Sequence, residues 1–141
     1  MHPRRLASLL IAATICAIGA GPGSAPAARY CATWKVTGTW TVRQSNTGPA
    51  VVFVFHQNSA QVVGTGRVGP VSNNFHGTLT GTISKDRLVF VVTWNRRASD
   101  GRMLKGHYAG SVAAKQIVGT SYALTGVRDV ATWIASGHAT C

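Results

Sequence analysis

Residues Phe75–Arg97 read FHGTLTGTISKDRLVFVVTWNRR. Phe75, Gly77, Leu79, Gly81 and Ile83 fall on one side of an extended chain, and His76, Thr78, Thr80, Thr82 and Ser84 on the other. That alternation, one face apolar or small and one polar, is the period of a half-buried β-strand. A polar turn at Ser84–Asp86 follows. A second run then places Leu88, Phe90, Val92 and Trp94 on one face and Val89, Val91, Thr93 and Asn95 on the other. The stretch predicts a long β-hairpin.

Working outward, the same pattern recurs on both sides. Trp34–Arg43, Ala50–Gln57 and Gln61–Val68 precede the hairpin, and Arg102–Val112, Gln116–Leu124 and Ala131–Thr140 follow it. Thr, Val and aromatic residues dominate, no run has helical spacing, and the connections are short. Sequence neighbours are therefore expected to pair as antiparallel hairpins. Eight such strands leave two open edges unless the sheet closes on itself. The expected fold is all-β: an eight-stranded antiparallel up-and-down barrel, whose interior either fills with side chains or holds one small ligand. Mid-strand glycines such as Gly66, Gly77 and Gly81 are expected to make room for large rings opposite.

The start of the chain has a different character. Arg4 and Arg5 precede an apolar run, Leu6–Ala20, and then small residues at Ala25 and Ala27. This is the layout of a secretory signal peptide cleaved near Ala27, which leaves residues 28–141 as a single secreted domain. The run is shorter than the ~20 residues a spanning helix needs. A lipoprotein reading at Cys16 is set aside because bulky Ile15 precedes it. The mature chain then has no membrane span. It retains Cys31 and Cys141, an even pair that reads as a disulfide between the first and last strands.

Of the 14 Lys and Arg, 12 remain after Arg4 and Arg5 are removed; against Asp86, Asp100 and Asp129, with no Glu, the mature charge is +9. Such a balance suits anionic partners or simply maintains solubility. The basic residues are scattered over turns, without the compact stripe expected for specific nucleic-acid binding. Paired-carboxylate catalysis is disfavoured because the three Asp fall in turns at opposite barrel ends. No nucleophile-elbow motif is present. His56, His76, His107 and His138 lack metal-ligand spacing, and no cofactor or metal is expected.

Several short motifs run in an order that resembles the avidin/streptavidin family: TGTW at Thr37–Trp40, GTG at Gly64–Gly66, LTGT at Leu79–Thr82, VVTW at Val91–Trp94, GHYAG at Gly106–Gly110, Tyr122 in GTSYALTG, ATW at Ala131–Trp133 and SGHAT at Ser136–Thr140. The resemblance covers nearly the whole mature chain and implies an avidin-like barrel. It also implies that Trp94, Tyr122 and Trp133 stand where the family places ligand-stacking aromatics. Val42, Gly66, Ala139 and Leu104 stand where the family carries biotin-contacting polar or aromatic groups. A buried ureido group left without those partners loses roughly 1–3 kcal/mol per missing bond, so weak biotin binding at most is implied.

Two readings of the aromatics stay open. Trp40, Trp94, Tyr122 and Trp133 are either core filling or a stacking platform for a small amphipathic or anionic ligand. In a meander, the loops after the odd-numbered strands share one end, and these are the longer and more basic ones. Arg43 and Arg96 lie there and are candidates to receive a carboxylate or phosphate. A cavity reaching Trp94 and Trp40 would favour a binding protein. A filled lumen would favour a structural protein that docks a partner or an envelope polymer. Strands two and five are apolar on both faces, through Val52 and Val54 and through Val89 and Val91, which suggests a homo-oligomer.

Overall fold

The computed structural model of the chain describes residues 31–46 and 48–141. The signal-peptide reading over residues 1–27 lies outside them. Eight strands run in chain order: β1 (Gly38–Gln44), β2 (Val51–Asn58), β3 (Gln61–Val68), β4 (His76–Ser84), β5 (Arg87–Arg97), β6 (Met103–Ala113), β7 (Gln116–Ala123) and β8 (Val130–Ser136). Each pairs antiparallel with the next, and β8 pairs back onto β1, so the barrel is closed. The deciding hairpin forms in the register its pattern requires, from Gly77 opposite Trp94 to Ser84 opposite Arg87. No helix of the described residues is long and apolar enough to cross a membrane.

The inward positions are the apolar ones. Phe53 and Phe55 of β2, Phe90 and Trp94 of β5 and Tyr108 of β6 form an aromatic column along the lumen. Phe90 lies stacked on Tyr108, their centroids 4.9 Å apart, and Phe53 meets Phe90 edge-on at 5.1 Å. Such contacts add to the burial energy of each ring. The rings fit because their neighbours carry no side chain: a Cβ on Gly66 would collide with Phe53 and crowd Trp94, one on Gly77 would crowd Trp94 as well, and one on Gly110 would collide with Trp133.

Both ends of the strand ladder differ from the alternation. The expected first strand, Trp34–Arg43, begins only at Gly38, whose φ of +134° few side chains tolerate. The preceding residues cross the end of the barrel. There the Trp34 N–H donates to Lys85 O, the Val36 N–H to Gln57 Oε1, and Val36 is buried. The expected eighth strand, Ala131–Thr140, ends at Ser136. Beyond it the chain leaves β1 for the β6–β7 turn: the Gly137 N–H donates to Lys115 O and the Ala139 N–H to Ala114 O. Alternation reads burial, and these cap segments are also half buried, so the pattern runs past the true strand ends. Cys31 and Cys141 are joined by a disulfide at this capped end, with Cα atoms 5.2 Å apart.

Candidate functional site

The opposite end is open, and the four loops that follow the odd-numbered strands surround it. Within it lies a cavity of about 210 Å³. Its walls are Val51, Val68, Phe75, Trp94 and Leu104, and Gln44, Tyr108 and Ser121 add polar groups. Pairing of β5 with β6 shifts register between Thr93 and Arg97, where three residues of β5 stand against Leu104 alone. This bulge re-aims the β5 chain at the height where Trp94 and Leu104 face the cavity.

The polar groups form one cluster. Gln44 Nε2 donates to the Tyr108 hydroxyl and to Ser121 Oγ, each at 3.1 Å. Ser121 is buried, and burial pushes the Tyr108 phenol up to about 12, against the opposing pull of the Gln44 hydrogen bond. Tyr108 is thus a neutral hydroxyl, and no charged side chain enters the cluster. The cavity can offer an amide and two hydroxyls to a neutral polar group while its walls hold an apolar or flat one. Lys105 and Asp129 also line the cavity, so its charge is mixed.

The structure brings some of the expected site residues together and separates others. Trp94 lines the cavity and touches Phe75, centroid to centroid at 5.2 Å. Arg96 stacks over the Phe75 ring at 4.3 Å and donates to Asn73 O, one ring away from the cavity. Trp40 is fully buried in the core, its indole N–H bonded to Val36 O, and the cavity stops short of it. Trp133 is a core ring packed edge-on against Phe90 and Tyr108. Its Nε1 has no partner among the described residues. Arg43 points outward from β1 with Thr39 and Thr41. Tyr122 also borders the cavity, although its parity is opposite to that of buried Ser121 and its ring stacks between His107, at 4.7 Å, and the Arg128 guanidinium, at 4.6 Å.

Gln44, Tyr108 and Ser121 were not singled out from the sequence, although the signal is present. Extending the first strand by one residue puts Gln44 on the face of Trp40 and Val42. Strand parity puts Tyr108 with Gly106 and Gly110, and Ser121 with Ile117. Among the described residues, no group of three or more His, Cys, Asp or Glu side chains is placed to share a metal ion.

In comparisons with known proteins, no family model, no curated protein and no solved structure matches this chain. Val42 and Ala139, at two positions the resemblance links to biotin, are buried in the apolar core, and Gly66 lies against Phe53 and Trp94.

Proposed function

We propose that this protein is a secreted, non-enzymatic barrel that binds a small amphipathic ligand in the open end. The observation that carries the reading is the Gln44–Tyr108–Ser121 cluster set among apolar walls, since a lumen built only for stability has no use for three polar side chains at an open mouth. At about 210 Å³ the cavity is smaller than the ~300–1,000 Å³ of pockets for drug-sized molecules, which suits one flat or branched group rather than an extended molecule. An anionic substituent would meet Lys105 and Arg96 at the rim, not the cluster. The avidin-like kinship rests on motif order alone. Biotin, whose polar contacts would face Val42 and Ala139, is expected to bind far more weakly than that family binds it.

Native mass spectrometry of the secreted protein reads the mass of any retained ligand together with the subunit count. Calorimetric titration of that ligand into Gln44→Leu and Leu104→Trp proteins then tests the place. The first removes the hydrogen bonds, and the second fills the cavity. Affinity should fall at least tenfold in both, and unchanged affinity in both would move the site elsewhere.

A second reading is favoured by the rest of the lumen. Trp40, Phe53, Phe55, Phe90 and Trp133 fill it so completely that most of the barrel acts as a rigid body, which suits a protein that docks a partner through its outer surface. The outward valines of β2 and β5 are only half exposed, and β3 and β4 separate them into two patches. Self-association through them would therefore need two contacts rather than one continuous face.

A further inference from the structure

We propose that the open end of the barrel is a docking surface for an anionic lipid bilayer, with apolar loop tips entering the headgroup layer and basic side chains ringing them. The inference stands apart from the cavity and holds whether or not a ligand occupies it.

The first observation is where the exposed apolar side chains lie. Val63, Val118 and Ile134 sit on outward strand faces. Among the described residues, the remaining large apolar side chains that are exposed belong to the open end: Val71 at 75%, Val127 at 80% and Val130 at 64%, with Met103 and Leu124 beside them. Val71 lies in the β3–β4 loop and Val127 in the β7–β8 loop, so apolar tips project from different sides of the mouth. At the capped end the large apolar residues Trp34 and Val36 pack inward, against the core.

The second observation is charge. Arg67, Arg96, Arg97, Arg102, Lys105 and Arg128 belong to the same end, against Asp100 and Asp129. Only Arg102 is held in an ion pair among the described residues, with Asp100. Arg96 and Arg128 lie on the Phe75 and Tyr122 rings. The capped end is also basic, through Lys85, Arg87 and Lys115, but among the described residues its loops carry no exposed large apolar side chain. The two ends thus separate charge alone from charge combined with apolar area.

The third observation is that the loops form one platform. The Gly126 N–H donates to Asp100 Oδ2 at 2.9 Å, joining the β7–β8 loop to β5–β6. Asn46 bonds Asp129, joining β1–β2 to β7–β8. The Gly69 N–H donates to Ala50 O, and Arg96 to Asn73 O, which ties in the β3–β4 loop. A platform already ordered loses little conformational entropy on meeting a surface. Apolar side chains surrounded by cations match an interface whose outer layer is anionic and whose next layer is hydrocarbon. Binding there scales with inserted apolar area plus attraction to acidic headgroups. Each basic residue brought to such a surface contributes about fivefold in affinity. A soluble polyanion would meet the charges but leave the valines in water.

The test is flotation of the disulfide-bonded protein with vesicles of phosphatidylcholine alone, or with one third of the lipid replaced by phosphatidylglycerol. The wild type should float with the anionic vesicles and not with the neutral ones. Val71→Ser with Val127→Ser should weaken that binding about tenfold or more at an unchanged melting temperature, since both side chains are exposed and support no core. Arg87→Gln with Lys115→Gln, at the capped end, should leave it within about twofold. The proposal is overturned if anionic vesicles are not bound. It is equally overturned if the serine variant binds as the wild type does, if the capped-end variant loses as much as the serine variant, or if heparin binds the protein and anionic vesicles do not.

Discussion

Replacing Tyr108 by Phe should reverse the order of stability between variant and wild type as the solution becomes alkaline. In the folded protein burial raises the phenol from 10 to about 12. An unfolded tyrosine ionises near 10. Between these values the unfolded chain has released its proton and the folded chain still holds it, so stability falls as pH rises. The full difference corresponds to roughly 2–3 kcal/mol, most of it lost by about pH 12. At neutral pH the variant instead lacks the hydrogen bond with Gln44, whose Nε2 still reaches Ser121, at a cost of about 1 kcal/mol. Wild type is therefore expected to be the more stable at pH 7, the two to be equal near pH 11, and Tyr108→Phe to be the more stable above that. Urea denaturation of both proteins, followed by tryptophan fluorescence at stepped pH with the disulfide intact, reads the crossing directly. Free energies that run parallel from pH 9 to about 11.5 would refute the buried, neutral phenol, and with it the polar cluster in the cavity.

Three other outcomes are expected. The Cys31–Cys141 bridge, at a sequence separation of 110, should stabilise by about 4–5 kcal/mol; urea denaturation of Cys31→Ser with Cys141→Ser measures this, and alkylation of thiols in the native wild type would contradict the bridge. Asp100 is held down to about 2, first by the Arg102 guanidinium and then by the Gly126 and Arg102 N–H groups, so the tie between the β5–β6 and β7–β8 loops should persist below pH 4 and release only as pH approaches 2. The Gly126 amide resonance should titrate with a midpoint near 2, and a midpoint near 4 would show the tie is not made. Val89→Lys with Val91→Lys, on the outward face of β5, should give a folded species of smaller mass by light scattering if the wild type self-associates there; a wild type that is monomeric at high concentration would exclude the contact.

The barrel was legible because alternation carries it. In FHGTLTGTISKDRLVFVVTWNRR every inward position is apolar or glycine, and the paired register follows from the turn at Ser84–Asp86. The glycines were legible too, since residues such as Gly66 and Gly77 disfavour strands unless a ring needs their space. Strand ends were harder, because Val36 and Ala139 are buried beneath the capped end and so extend the alternation beyond the pairing. The site was only partly visible. Trp94 declares itself by parity, whereas Tyr122 stands on the outward parity of β7 and reaches the cavity only at its edge. Gln44, Tyr108 and Ser121 come from three separate strands, and only closure of the sheet, which makes β1 a neighbour of β8, gathers them.

That closure also fixes when the molecule can finish folding. Seven of the eight ladders join strands adjacent in sequence and can zip as local hairpins, but the ladder from Thr41–Ser136 to Gln44–Trp133 must wait for the last segment to emerge. Until then β1 and β7 are unsatisfied edges of a curved sheet, with Thr and Val along them to welcome any passing strand. A chain that ended before residue 130 would keep both of those edges open. Barrel closure is thus the one pairing that has to span nearly the whole of the described strands, and it comes last in chain order.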